Sequence, residues 1–257
     1  MQTKTIQDVA VPALGYGTWQ LTGSDCVEGV ADALRIGYRH IDTAQAYGNE
    51  AQVGEGMRQA EVTREHIFLV SKIWPENFAT DLAEASVHES LRKLDTDYLD
   101  LMLLHWPSRD NVPHAEPLTV LAKLREQGKV RQIGVSNFSP EQVEEARQHA
   151  PIFCNQVPYH PYQNQSALLD QATKMGYLLT AYSPLARSKV MQDATLASIG
   201  EQHGKTPAQV TLRWLIQQQN VCAIPKAATA KHRRSNFDIF DFDLTDEQMQ
   251  QIAALTQ

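Results

Sequence analysis

Residues 67–72 read IFLVSK, a run of β-branched and apolar residues that ends on a lysine. A segment apolar almost throughout suits a strand covered on both faces, as in a parallel sheet flanked by helices. Closing it with a primary amine raises a question, because an ammonium left alone in a dry interior is strongly disfavoured. Similar short runs occur at 13–17, 40–42, 99–105, 130–136, 153–156, 178–182 and 222–225, and amphipathic stretches of helical length separate them. The alternation is that of repeated β-α units. Eight units in a chain of 257 residues predict an α/β fold of the (β/α)8 TIM-barrel type, with an open doubly wound sheet as the alternative.

The segments between the runs carry helix punctuation: Ser24 ahead of the first, Asn49 with Gln52 three residues on, Ser139 before Pro140, and Thr206 before Pro207. Ahead of the first unit, residues 3–14 predict a short β-hairpin turning at Asp8 and closing the barrel bottom. Beyond the last, residues 245–257 predict an extra C-terminal helix. No linker or shift of composition divides the chain, so a single domain over residues 1–257 is expected.

A net charge of −7 with acids and bases interspersed, and no basic tract longer than residues 231–234, argues against nucleic-acid or anionic-membrane partners. Cys26, Cys154 and Cys222 form no C-x-x-C pair, which suggests neither a disulfide framework nor a structural zinc site and fits a reducing cytoplasm. The N-terminal residues lack an apolar signal core, and no stretch approaches the roughly 18 apolar residues of a membrane span. A cytoplasmic monomer is expected.

In a barrel, polar residues at the ends of different strands converge on one mouth. Strand two ends in Asp42 with Tyr47 in the loop beyond, strand three at Lys72, and strand four at His105. Singly, each has an ordinary reading as a loop cap, packing, a snorkelling amine or a structural imidazole. Together they suit proton transfer. A phenol titrates near pH ~10, and a neighbouring ammonium favours its phenolate. Lys72 supplies that ammonium, Asp42 neutralises it, and His105 faces the same pocket as a hydrogen-bond donor or proton shuttle.

These residues lie in HIDTAQAYGNE (40–50), LVSKIW (69–74), LLHWP (103–107), IGVSNF (133–138), AYSPL (181–185) and IPK (224–226). In that order and context the chain resembles the aldo-keto reductase family over essentially its whole length, and most of all its short bacterial members, the kind that includes the 2,5-diketogluconate reductases. The resemblance implies a barrel that binds NADPH/NADP+ in an extended pose across its mouth and reduces a small-molecule carbonyl without a metal. It makes Tyr47 the general acid, Lys72 and Asp42 its electrostatic support, and His105 the residue orienting the carbonyl.

It further implies that Ser136, Asn137 and Gln156 hold the carboxamide, that Tyr182 stacks on the nicotinamide, and that Ser183 and Leu185 lie along the pyrophosphate. Lys226, after Pro225, would meet the 2′-phosphate and favour NADPH over NADH. His232 and Asn236 complete the expected cofactor set, with Gly17, Thr18 and Trp19 in the turn after strand one. The chain departs from the family pattern at Ala227, where a serine is usual, and at His232, where an arginine is usual. NADH therefore stays an expected weaker cofactor, and Arg233 and Arg234 are the residues available to replace that arginine. Trp19, Trp74 and Trp106 would wall the substrate pocket with Tyr47 and His105. The chain ends at Gln257, about where longer members continue over that pocket, so an open and less selective pocket is expected.

GYGTWQ (15–20) and GEGMRQ (54–59) each lack the third glycine of a dinucleotide fingerprint. A metal-dependent hydrolase barrel needs clustered ligands, whereas His66, His88, His149 and His203 are scattered on predicted helices or loops. The remaining rival is a non-catalytic NADP(H)-binding protein on the same barrel.

Overall fold

A computed structural model of the chain describes residues 2–108, 112–163 and 165–256. Strands β1 (Thr3–Ile6) and β2 (Val9–Pro12) form an antiparallel hairpin with Ile6 opposite Val9. Gln7 and Asp8 between them both have positive φ, 47° and 64°, the backbone of a two-residue hairpin turn whose twist matches that of the strands. The turn falls where Asp8 placed it.

Eight further strands follow: β3 (Tyr16–Gly17), β4 (His40–Asp42), β5 (Phe68–Ile73), β6 (Leu99–Leu104), β7 (Val130–Ser136), β8 (Ile152–Pro158), β9 (Leu178–Tyr182) and β10 (Val221–Ala223). They lie side by side in chain order, every neighbouring pair parallel. The two edges meet: Leu14 bridges Ala223 in parallel, Gly15 N–H donates to Ala223 O at 2.8 Å, and Ala223 N–H donates to Ala13 O at 3.0 Å. The sheet thus closes into the expected (β/α)8 barrel, and no edge is left to template unwanted pairing. Each expected apolar run overlaps one of these strands, with β5, β8 and β10 extending past the expected bounds.

Alternation along the strands separates two apolar regions. Val70, Leu101, Leu103, Cys154, Leu178 and Cys222 fill the barrel interior, and Ile6 and Val11 of the hairpin pack against them as a plug. Leu69, Ile73, Met102, Leu104, Ile133 and Val135 face outward into the larger core beneath the helices. Because the period is two, Lys72 in β5 is on the same face as Val70 and therefore points inward. The strand runs one residue beyond this lysine, to Ile73, so the amine belongs to the sheet interior rather than to its end.

Helices α1 (Gly23–Ile36), α2 (Glu50–Gln59), α3 (Thr80–Leu94), α4 (Ala115–Glu126), α5 (Pro140–Ala146), α6 (Ser166–Met175), α7 (Ala194–His203), α8 (Pro207–Gln217), α9 (Ala230–Phe237) and α10 (Asp246–Ala253), with short 3₁₀ segments in some of the loops, complete the described elements. Reciprocal capping boxes form at Ser139 with Gln142, Thr206 with Gln209, and Thr245 with Gln248. Two expected starts differ. The first helix is capped at Thr22, with Ser24 already inside it. Asn49 stands at the cap of α2 but makes no cap bond. Its side chain accepts from Thr43 Oγ1 at 2.8 Å and donates to Thr18 O and Leu21 O, each at 2.9 Å, tying the loops after β3 and β4 together.

Candidate active site

The inward-facing residues turn polar toward the C-terminal ends of the strands. Lys72 is fully buried, and its three ammonium hydrogens have three partners: Asp42 Oδ1 at 2.6 Å, Thr43 O at 2.8 Å and Tyr47 Oη at 3.4 Å. Gln156 Nε2 donates to the other carboxylate oxygen, Asp42 Oδ2, at 2.8 Å. The buried charge is therefore both neutralised and fully hydrogen-bonded, the condition under which it is tolerated in a core. Tyr47 belongs to a 3₁₀ turn, Gln45–Tyr47, that leaves β4 and brings the phenol back over the lysine. His105 follows β6, with its ring edge-on to Tyr47 at 5.7 Å and to Trp74 at 5.2 Å between centroids.

Burial, the largest single influence, would lower the Lys72 pKa, but the charges and hydrogen bonds of Asp42 and Tyr47 together outweigh it, and the net shift is upward. The amine stays charged. Tyr47 is raised: burial dominates, and the downward pull of Lys72 offsets only part of it. The expected tuning by lysine is present in direction, yet it moderates desolvation rather than making the phenol acidic. His105 is pushed down to about 3, first by burial and then by the Lys72 charge, so its imidazole is neutral at ordinary pH. Its Nδ1 is buried without a partner among the described residues, and its carbonyl accepts from Asn137 Nδ2 at 3.0 Å. An orphaned buried N–H is rarer than an orphaned acceptor, which favours the tautomer with the hydrogen on Nε2.

A cavity of about 560 Å³ opens above this cluster. Gly17, Trp19, Asp42, Tyr47, Trp74, His105, Trp106, Ser136, Asn137, Gln156, Tyr182, Ser183 and Lys226 line it, which brings thirteen of the expected residues to one place. A neighbouring cavity of about 490 Å³ is lined by Leu185 and Pro225 and shares Trp19, Ser183, Arg187 and Lys226 with the first. Polar side chains on the floor brace one another. Ser136 Oγ donates to Gln156 O at 2.8 Å, Asn137 Nδ2 to Ser136 Oγ at 3.0 Å, and Tyr182 Oη to Asn137 Oδ1 at 2.8 Å. The last bond fixes the Tyr182 ring as a wall. Asn137 holds φ at 64°, a left-handed conformation that asparagine tolerates better than most residues.

Three expected cofactor residues line neither cavity. Thr18 is fully buried and spends both its hydroxyl and its N–H on Asp42 O, at 2.9 and 3.0 Å, so it anchors the aspartate's strand. His232 is exposed on α9, where its backbone N–H meets the Thr229 cap at 3.2 Å. Asn236 is buried in the same helix. Arg233 is also withdrawn from the mouth: its Nε is on Asp32 Oδ2 at 2.6 Å and its Nη1 on Ala228 O at 3.0 Å. Gly17 has a packing reason of its own, because a Cβ there would lie 2.7 Å from Ile224 O. Ala46, Arg187 and Ile224 line the first cavity without having been singled out in the sequence. For Arg187 the available signal was its place in the strand-end loop that begins at Ser183.

The pair of adjoining cavities suits an extended dinucleotide, with the immobilised Tyr182 ring on the first lining and Lys226 on both. Among the described residues Asp42 is the only carboxylate on either lining, and it is paired with the Lys72 ammonium. Among the described residues no group of three or more His, Cys, Asp or Glu side chains is placed to hold a metal ion.

The profile of the Aldo/keto reductase family matches residues 13–257. A glyoxal reductase of Bacillus subtilis (strain 168) is 40% identical over 97% of this chain and 90% of that protein. The crystal structure of a putative 2,5-diketo-D-gluconic acid reductase B superposes with a TM-score of 0.98 at 47% identity, covering 100% of this chain and 92% of that one. An aldo-keto reductase of Bombyx mori, solved in complex with NADP, gives a TM-score of 0.92 at 32% identity, covering 100% and 94%.

Proposed function

Because the chain belongs to the aldo/keto reductase family, we propose that it reduces small aldehydes, α-dicarbonyls or keto-sugars to alcohols with NADPH, with Tyr47 as general acid. The observation that carries this reading is the single lysine, buried in the barrel, that bonds Asp42 and Tyr47 together at the cavity floor. Bound NADPH would supply the hydride to the carbonyl carbon. Every other task falls to the protein's own side chains.

A phenol raised by burial is protonated at neutral pH and holds its hydrogen ready for a carbonyl oxygen. As that proton leaves, charge develops on the phenolate, and the Lys72 ammonium already in place stabilises it without reorganisation. Asp42 keeps the ammonium charged while the site is dry. Neutral His105 offers Nε2–H to the same oxygen and fixes the carbonyl's direction, and Trp74 braces the imidazole edge. Ser136, Asn137 and Gln156 would hold the carboxamide, Tyr182 would stack on the nicotinamide, and Ser183, Leu185, Pro225 and Lys226 would take the phosphates. Trp19, Trp74 and Trp106 would meet the substrate. NADH should bind more weakly, since Lys226 is the cation reserved for the 2′-phosphate.

The relative named glyoxal reductase supports α-dicarbonyls as the first substrates to try. We also take the chain to act as one domain and as a monomer in a reducing cytoplasm, which its three free, buried cysteines suit. Steady oxidation of NADPH with glyoxal, followed at the nicotinamide absorbance, tests the reading. Tyr47→Phe should lower kcat by about 10²–10⁴-fold and leave the NADPH Kd near the parent value. A variant that turned over at the parent rate would remove Tyr47 from its role. Binding without turnover of any carbonyl would instead favour a non-catalytic NADP(H)-binding protein.

A further inference from the structure

Behind the cavity a single amide joins the Tyr47 turn to the Trp74 wall. Gln45 is the first residue of the 3₁₀ turn that carries Tyr47, and it lines neither cavity. Its Oε1 accepts from the backbone N–H of Trp74 at 3.1 Å and from Asn77 Nδ2 at 3.1 Å, so both bonds land on the loop after β5. Its Nε2 donates to Ser90 Oγ on α3 at 3.2 Å. Ser90 is fully buried and hydrogen-bonds in turn to the Glu50 carboxylate, which also accepts from Ser71 Oγ at 2.6 Å. Ser71 adjoins Lys72 in β5, and Glu50 opens α2. The amide thus ties the two loops together and anchors them on a buried frame of α2, α3 and β5. On the cavity side, Tyr47 and Trp74 each stand edge-on to the His105 ring, at 5.7 and 5.2 Å. Ring contacts of that kind tolerate sliding, whereas hydrogen bonds are directional and fix a separation.

We propose that Gln45 is a positioning residue that fixes the spacing between Tyr47 and the Trp74 wall, and thereby sets the size of carbonyl compound that is turned over best. The inference rests on the proposed function, in which Tyr47 gives the proton and Trp74 meets the substrate. A small dicarbonyl touches few walls and depends on a narrow gap to keep its oxygen on the Tyr47 hydroxyl, and a misplacement of about 1 Å can cost about a hundredfold in rate. A bulky one fills a wider gap. Loosening the clamp therefore penalises small substrates more than large ones.

The test compares kcat/KM for glyoxal and phenylglyoxal, at saturating NADPH, in the parent, Gln45→Met, Gln45→Glu and Asn77→Ala. Gln45→Met keeps the side-chain length and removes all the bonds of the amide. It should lower kcat/KM for glyoxal about tenfold and leave phenylglyoxal within about twofold, with the NADPH Kd unchanged because Gln45 lies off both linings. Gln45→Glu keeps an acceptor for Trp74 and Asn77 and should recover most of the preference for glyoxal. Asn77→Ala removes one bond of the clamp, should shift the preference the same way by a smaller factor, and reads the same spacing if Gln45→Met does not fold. In a Trp74→Ala background Gln45→Met should no longer change the preference, because the wall it positions is gone. An unchanged preference in Gln45→Met, or in Asn77→Ala where the first variant does not fold, would overturn the proposal. An equal loss for both substrates would assign Gln45 to the fold and overturn it as well, as would a shift that persists in the Trp74→Ala background. A parent protein that turns over neither dicarbonyl would defeat the proposed function itself, an outcome distinct from any of these.

Discussion

Lys72 cannot be removed without consequence for its neighbours, because Asp42 is almost as deeply buried and its carboxylate would lose the ammonium it is paired with. Lys72→Met should therefore cost about 3–5 kcal/mol of stability, the range for breaking one side of a buried ion pair. Adding Asp42→Asn, which removes the stranded charge, should return part of that loss, and urea unfolding of the two variants measures both steps. The single variant should also be nearly inactive if Tyr47 is the acid proposed, since among the described residues Lys72 is the cation bonded to its hydroxyl. His105 gives a second prediction at this scale. Its folded pKa, about 3, is depressed below the ordinary value of 6.5. The unfolded chain thus binds more protons between those values, and the contribution of neutral His105 is present above about pH 6.5 and is lost as the pH falls toward 3. Fully buried His40 is shifted in the same direction and adds to the same window. His105→Gln should flatten the acid loss of stability without abolishing it. The pH profile of kcat/KM should show no histidine limb between pH 5 and 8; a limb there that disappeared in His105→Gln would contradict the neutral imidazole.

At the level of single elements, local chemistry was legible where a few adjacent residues settle the matter. Ser139 with Pro140, and Thr206 with Pro207, are capping boxes in the structure because all the partners lie within one turn. Asn49 carries the same local signal and is used differently, since its amide satisfies two carbonyls in the loop after β3 that no reading of the helix start could foresee. The contrast is measurable. Thr206→Ala should cost about 1 kcal/mol, the usual loss of a helix cap. Asn49→Ala leaves several buried polar groups unpaired and should cost clearly more, about 2–4 kcal/mol. Equal losses in thermal or urea unfolding would mean that Asn49 acts as a cap after all. The site divides in the same way. Asp42, Lys72 and His105 were legible because strand period and strand order bring them together, and Tyr47 because its loop leaves the end of β4 beside them. The place of Arg187 depends on three left-handed residues in succession, Ala186, Arg187 and Ser188, which nothing in the sequence prescribes, and the distance of His232 from the mouth depends on how α9 sits on the barrel.

Across the whole molecule the barrel separates stability from chemistry along its axis, and that separation yields a last prediction. The hairpin plug and the apolar interior lie at the N-terminal ends of the strands, whereas Lys72, Asp42 and the cavity lie at the C-terminal ends. Val11 is fully buried in the plug, so Val11→Ala removes methyl groups from a packed interior and should cost about 2 kcal/mol. In a chain of this size each kcal/mol lowers Tm by about 2–4 °C. Well below the lowered Tm, kcat, KM and the NADPH Kd should stay at parent values, because no residue of the plug lines either cavity. Tyr47→Phe is the opposite case: it should leave Tm nearly unchanged while turnover falls. The pair forms a double dissociation, read by scanning calorimetry and steady-state kinetics on the same preparations. If Val11→Ala lowered kcat in proportion to stability, the floor of the barrel would be mechanically coupled to its mouth, and the arrangement of Tyr47 over Lys72 would depend on packing several layers below it.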